Sequence, residues 1–191
     1  MHSLRQHFGS IMKTLLIALP LLLVGTSAFA TTGTINFSGQ INGSTCSVEV
    51  VNPDSGAVGN LVQMGAPLVG DFPTVGSEAG GRSFALRVKG ECGLSAEDPN
   101  YATVKFGGIQ GGAGADQSLF GIKPGAGTAK GVAVAIRDRT GNQVKNGEAS
   151  AQYPLNATGA SDLHFTAVYK STAVVTAGSA DADVAFLVSV N

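Results

Sequence analysis

The hydrophobic positions of this chain recur at every second residue, in short runs separated by glycine-rich turns. "SFALRVKG" places Phe84, Leu86 and Val88 on one side. "ATVKFGG" does the same with Val104 and Phe106, "GVAVAIRD" with Val132, Val134 and Ile136, and "LHFTAVYKS" with Leu163, Phe165, Ala167 and Tyr169. The last run, "DVAFLVSV", aligns Val184, Phe186, Val188 and Val190. A period of two is the pattern of a strand with one buried face. "RTGNQ", between two of these runs, reads as a turn about Gly141 and Asn142. Many short strands with turn signals between them predict an antiparallel β-sandwich. Helical periodicity is sustained nowhere beyond residue 30, and only "SLFG", near Leu119, suggests a helical turn.

One alternating run has a gap in it. In "TTGTINFSGQI", Thr31 to Ile41, the apolar row is Gly33, Ile35, Phe37, Gly39 and Ile41. A glycine inside such a row weakens the strand and gives a core no side chain. The run also stands at one end of the chain, with the alternating run that stops at Val190 at the other. Alternation alone fits a closed domain in which the two terminal strands pair. It also fits a domain whose open sheet edge takes a strand from another chain.

Before this run stands a leader. "MKTLLIALPLLLVGTSAFA", Met12 to Ala30, has a basic Lys13, an apolar stretch from Leu15 to Val24 and a small-x-small end, Ala28-Phe29-Ala30. These features predict a secretory signal peptide over residues 1–30, cleaved before Thr31, with Met1 to Ile11 read as a mis-assigned translation start or, as the less favoured alternative, an extended n-region. The apolar stretch is too short for a membrane span. Without Arg5 and Lys13, ten basic residues face thirteen acidic ones, a net charge of −3. That balance offers no basic footprint for nucleic acid or anionic lipid.

Export changes the reading of the two cysteines. Cys46 and Cys92 form an even pair in an oxidising compartment, which predicts one disulfide. It would close a loop of nearly fifty residues, worth at most roughly 4 kcal/mol in the chain-entropy picture. No enzyme chemistry assembles. His164 is the only histidine beyond the leader and falls at an outward position of its run, and no serine sits in a nucleophile-elbow pattern. The carboxylates, Asp181 and Asp183 on one polar face and Glu97 and Asp98 in a turn before Pro99, are too sparse for a Ca²⁺ loop. "GGIQGGAGADQ", Gly107 to Gln117, lacks the Lys-Ser/Thr of a phosphate cradle and reads as a surface loop. The expectation is no enzyme, no metal and no cofactor.

Taken in order, these segments resemble the type 1 fimbrial subunit family of the chaperone–usher pathway. "GTINFSG" is similar to the family's N-terminal extension, and Cys46 follows its glycine as in the family. "SFALRVKGEC" leads into Cys92, "GVAVAIRDRTG" resembles the family's Gly-Val-x-Ile segment, and "LHFTAVYKSTAVVTAGSADADVAFLVSV" resembles its closing block. The resemblance implies an incomplete immunoglobulin-like sandwich over residues 43–191 that lacks its last strand, preceded by a donor-strand extension over 31–42. Donor residues would be Ile35, Phe37, Gly39 and Ile41. The acceptor groove and chaperone contact would include Phe186, Val188, Val190 and the terminal Asn191. A periplasmic chaperone lends a strand first; at an outer-membrane usher, the extension of the next subunit replaces it, so that neighbouring pilin subunits join head to tail into a surface fimbria. Burying Ile35, Phe37 and Ile41 would contribute roughly 5–9 kcal/mol per junction. Gly39 would mark a shallow place in the groove. Val190 stands where the family usually has tyrosine. The implied role is a structural subunit, the major shaft subunit or an adaptor. The contrasting reading is a self-contained secreted sandwich that binds a small ligand or carbohydrate.

Overall fold

The computed structural model describes residues 34–39, 47–90, 94–95 and 99–191. The leader, Ile41, both cysteines and the Glu97–Asp98 pair lie outside the described residues. The strands are β1 (Thr34–Gly39), β2 (Val48–Val51), β3 (Leu61–Gln63), β4 (Glu78–Val88), β5 (Asn100–Gly108) and β6 (Gly112–Ala113). They continue with β7 (Leu119–Phe120), β8 (Lys130–Arg137), β9 (Gln143–Val144), β10 (Tyr153–Leu155), β11 (Ser161–Thr176) and β12 (Ala182–Val190).

Two sheets face each other. One runs β10-β5-β12-β1-β3; the other runs β2-β4-β11-β8-β7-β6, with β9 also on β8. The alternating rows read from the sequence supply the inward faces: Phe84, Leu86 and Val88 of β4, Val104 and Phe106 of β5, and Leu163, Phe165, Ala167 and Tyr169 of β11 are buried. Val184, Phe186 and Val188 of β12 are buried with them, while Val190 is half-buried. Aromatic rings tie the layers together. Phe106 of the first sheet meets Phe165 of the second edge to face at 5.0 Å, and Phe165 stacks on Phe84 at 5.5 Å. Such pairs contribute about 0.5–1.5 kcal/mol beyond the area they bury.

Strand β8 departs from one-sided burial. Val134 and Ile136 face the main core, but Ala133 and Ala135 are buried too, in a second cluster with Leu119 on the other face of the sheet. This corrects the helical turn expected at "SLFG". Leu119 and Phe120 form strand β7, with Phe120 paired to Val134. Leu119 joins the outer cluster and Phe120 the main core. Neighbouring side chains sent to opposite faces require a strand. Among the described residues, a turn of 3₁₀-helix is found instead at Val69–Asp71. The expected turn at Gly141 is present: its N–H donates to the Asp138 carbonyl, and its φ of 81° suits glycine. The glycine-rich segment is more ordered than a plain surface loop. Gly107 and Gly108 end β5 and Gly112 opens β6, where an added Cβ would collide with the Gln117 carbonyl.

Candidate functional site: the strand slot beside β12

Strand β12 has two edges in different situations. On one side it pairs antiparallel with β5 along Val184↔Gly108 to Val190↔Ala102. Asn191 extends this side by exchanging two backbone hydrogen bonds with Tyr101, at 2.9 and 3.0 Å. On the other side lies β1, parallel, with Ile35↔Ala182, Phe37↔Val184 and Gly39↔Phe186. Beyond β1, the sheet closes on three residues of β3, in antiparallel register from Thr34↔Gln63 to Asn36↔Leu61. So β1 fills a slot between β12 and β3, and it does so within the same chain. Taking it out would unpair both of these edges. The backbone groups bared there would cost about 1–3 kcal/mol each wherever water could not reach them.

The expected donor residues Ile35, Phe37 and Gly39 are therefore in a strand, beside the expected groove strand. Gly39 stands opposite the bulky Phe186, where a shallow place had been expected. The described pairing of β1 ends there, so Val188, Val190 and Asn191 lie beyond its register. Sequence reasoning missed much of the slot. Ala182 and Val184 face β1 directly, and β3 forms the far wall with buried Val62. "LVQ" is too short to show a period, and only Val184 carried a signal, as part of the last alternating row.

A cavity opens at each end of the β1 ladder. Past the Ala182 end lies one of about 140 Å³, lined by Pro67, Leu68, Phe72, Tyr169 and Ala180 among other residues. Its wall is predominantly apolar. The one phenol there is occupied: Tyr169 Oη–H donates to the Ala180 carbonyl at 2.9 Å. Burial pushes that phenol well above the ordinary tyrosine range, so it stays a neutral donor. Past the Phe186 end, a more open hollow of about 300 Å³ is bounded by Val48, Val50, Val58 and Phe186.

Charged groups near and away from the slot are paired, although the Oδ1 of Asp183 is buried without a hydrogen-bond partner. Asp183 pairs with Lys123 at 2.9 Å, its N–H donates to Gln110, and its carbonyl accepts the Ile109 N–H. On the second sheet, Arg87 grips Asp162 through two bonds of 2.7 Å, which holds that carboxyl below its usual range. Burial pushes the Glu78 carboxyl up, but Arg137 and Lys170 outweigh it and leave the group lowered. His164 is exposed on the outer face. Among the described residues, no three His, Cys, Asp or Glu side chains converge as a metal site. The described β2–β4 ladder reaches the Lys89 N–H bond to the Ser47 carbonyl, next in sequence to Cys46 and three residues before Cys92.

Known proteins match this chain along nearly its whole length. The family model for fimbrial protein covers residues 35–191, from the second residue of β1 onward. A probable major fimbrial subunit of Escherichia coli O157:H7 is 32% identical over 93% of this chain and 97% of its own. The type-1 fimbrial protein A chain of Escherichia coli is 31% identical over 92% and 97%. Among solved structures, the P pilus rod subunit PapA aligns with a TM-score of 0.55 at 20% identity, over 76% of this chain and 99% of that one. A chaperone–usher pilus subunit aligns with a TM-score of 0.58 at 19% identity, over 81% and 93%. With its strand slot, its sandwich and these matches, the chain belongs to the fimbrial protein family, as a structural subunit of a surface fimbria.

Proposed function

We propose that this subunit polymerises by strand exchange: the slot beside β12 accepts the extension of a neighbouring copy, and the chain's own extension enters the next copy in turn. The observation that carries this reading is the seat of β1. It is a segment lying in the slot between β12 and β3, with only residues 40–47 between it and β2. A segment so attached can be replaced by the same sequence from another chain without rearranging the rest of the sheet.

The slot favours a donor that runs opposite to β1. In the parallel register seen within the chain, β1 meets Ala182 with Ile35, and the residue two before Ile35 in sequence is a glycine, which has no side chain. Reversal about the Phe37–Val184 pair moves Ile41 to the level of Ala180, where that cavity opens. It also sets Gly39 beside small Ala182 and Ile35 beside Phe186. Gly39 then meets the shallow place. Reversal makes the longer ladder, against β12, antiparallel and the shorter one, against β3, parallel. Antiparallel pairing is the slightly more stable kind per residue, so the balance lies with the longer ladder.

On this reading a periplasmic chaperone first occupies the slot and holds the Asn191 end, and an outer-membrane usher directs the exchange. The composition and the full-length match to a probable major subunit support the shaft role over an adaptor. The pairing of β1 with β12 in one chain favours a second reading, a closed monomer that binds a ligand. Mixing purified full-length protein with an excess of a labelled peptide of residues 31–42 separates the two. Strand exchange predicts peptide incorporation into a complex that survives gel electrophoresis in detergent. A chain that never takes up peptide and never forms multimers is the closed monomer.

A further inference from the structure

Asp183, the second residue of β12, has all but one of its polar atoms engaged. Its N–H donates to the Gln110 side chain at 3.2 Å, its carbonyl accepts the Ile109 N–H at 2.9 Å, and its Oδ2 pairs with Lys123 at 2.9 Å. Oδ1 is buried without a hydrogen-bond partner, and among the described residues no other buried side-chain nitrogen or oxygen is left so. An unpaired buried carboxylate oxygen is costly and calls for an explanation. The pairing within the chain does not supply one. Parallel β1 brings Asn36 to the level of Asp183, and Oδ1 stays unpaired in that arrangement.

Backbone directions fix how a reversed donor would meet this oxygen. The Asp183 N–H and carbonyl both turn toward the β5 side, so those of Ala182 and Val184 turn toward the slot. A donor reversed about the Phe37–Val184 pair makes that pair a hydrogen-bonded one. Ser38 then stands opposite Asp183 in the adjoining non-hydrogen-bonded pair. Side chains come closest in such a pair, with Cα atoms about 4.5 Å apart. Both residues share the face opposite to that of buried Val184. We infer that Asp183 is a specificity residue of the slot: its Oδ1 accepts the hydroxyl hydrogen of Ser38 from the incoming strand, while Lys123 holds the other oxygen and orients the carboxylate. This role rests on the strand-exchange reading and adds what the slot reads on the polar face of a donor. Alanine at position 38 leaves Oδ1 unpaired, and aspartate there sets two like charges directly opposite, which destabilises a cross-strand pair.

Competition between peptides tests this. Full-length protein is incubated with equal amounts of the 31–42 peptide and its Ser38→Ala or Ser38→Asp variant until the ratio bound is constant. Complexes that survive gel electrophoresis in detergent are then quantified by mass spectrometry. A hydrogen bond to a charged group is worth a factor of roughly ten or more, and the Asp183 side chain is 26% exposed, which favours the low end. The unaltered peptide should therefore be preferred over Ser38→Ala by about tenfold, and over Ser38→Asp by more. In Asp183→Ala protein the preference over Ser38→Ala should be lost. Asp183→Asn, which keeps the side-chain shape, should lose the discrimination against Ser38→Asp. Wild-type protein that takes up the unaltered and Ser38→Ala peptides equally, or a preference that persists in Asp183→Ala, overturns the role of Asp183 while strand exchange stands. A chain that takes up none of the peptides overturns it as well, and one that also forms no multimers overturns strand exchange with it.

Discussion

The Tyr169 hydroxyl lies where the core of the sandwich meets the end of the slot, and removing it alone tests how that end is held. In Tyr169→Phe the ring keeps its volume in the core, where it is 2% exposed. What goes is the 2.9 Å bond to the Ala180 carbonyl, two residues before β12. Ala180 is itself 4% exposed, so its carbonyl loses a partner that water cannot readily replace. A buried acceptor left unmade costs about 1–3 kcal/mol. By the same constant, the unfolded-to-folded ratio should rise by roughly 5- to 150-fold. Urea unfolding followed by tyrosine fluorescence or circular dichroism reads this as a lower midpoint at unchanged slope. Because the lost bond borders the slot, incorporation of the 31–42 peptide should weaken as well. A midpoint equal to that of wild type would refute the argument, since it would mean the Ala180 carbonyl is not shut away from solvent as its burial indicates.

Four further outcomes follow from the same structure. Gly39→Leu should fold but fail to join into detergent-resistant multimers, because a donor carrying it would press a bulky side chain against Ala182; normal ladders would remove the shape restriction. Phe106→Ala deletes the ring that bridges the sheets to Phe84, Phe120 and Phe165, and should lower stability by about 3–5 kcal/mol in denaturant titration. The Asp162 carboxyl is held below its ordinary value first by its hydrogen bond to Arg87. A depressed carboxyl stabilises the fold above the unfolded value and loses that contribution as pH falls through the folded one; the stability gap between wild type and Asp162→Asn should therefore close on acidification below the usual carboxylate range. Finally, intact-mass measurement before and after reduction should differ by two hydrogens if Cys46 and Cys92 are bridged, with stability falling by up to roughly 4 kcal/mol on reduction.

The sequence by itself determined the inward faces of β4, β5, β11 and β12, because a strand with one buried side must alternate and these runs are long enough to show it. It determined the family as well, through the order of segments from "GTINFSG" to the closing block. Its reading failed where the pattern was short or doubled. Leu119 and Phe120 looked like a helical turn because both neighbours are apolar, and only the second cluster formed by Ala133 and Ala135 explains burial on both faces. "LVQ" of β3 gave no period at all. The end cavity could not be read in one dimension, since the stretch from Pro67 to Phe72, Tyr169 and Ala180 come from three separate parts of the chain brought together by packing. Nor could the partner and direction of β1. Alternation fixes which side chains face inward, but main-chain hydrogen bonds are the same whichever chain supplies the strand. The tertiary structure decided that the slot lies between β12 and β3, that the described strand β1 sits in it in parallel, and that a cavity opens past the Ala182 end of that ladder.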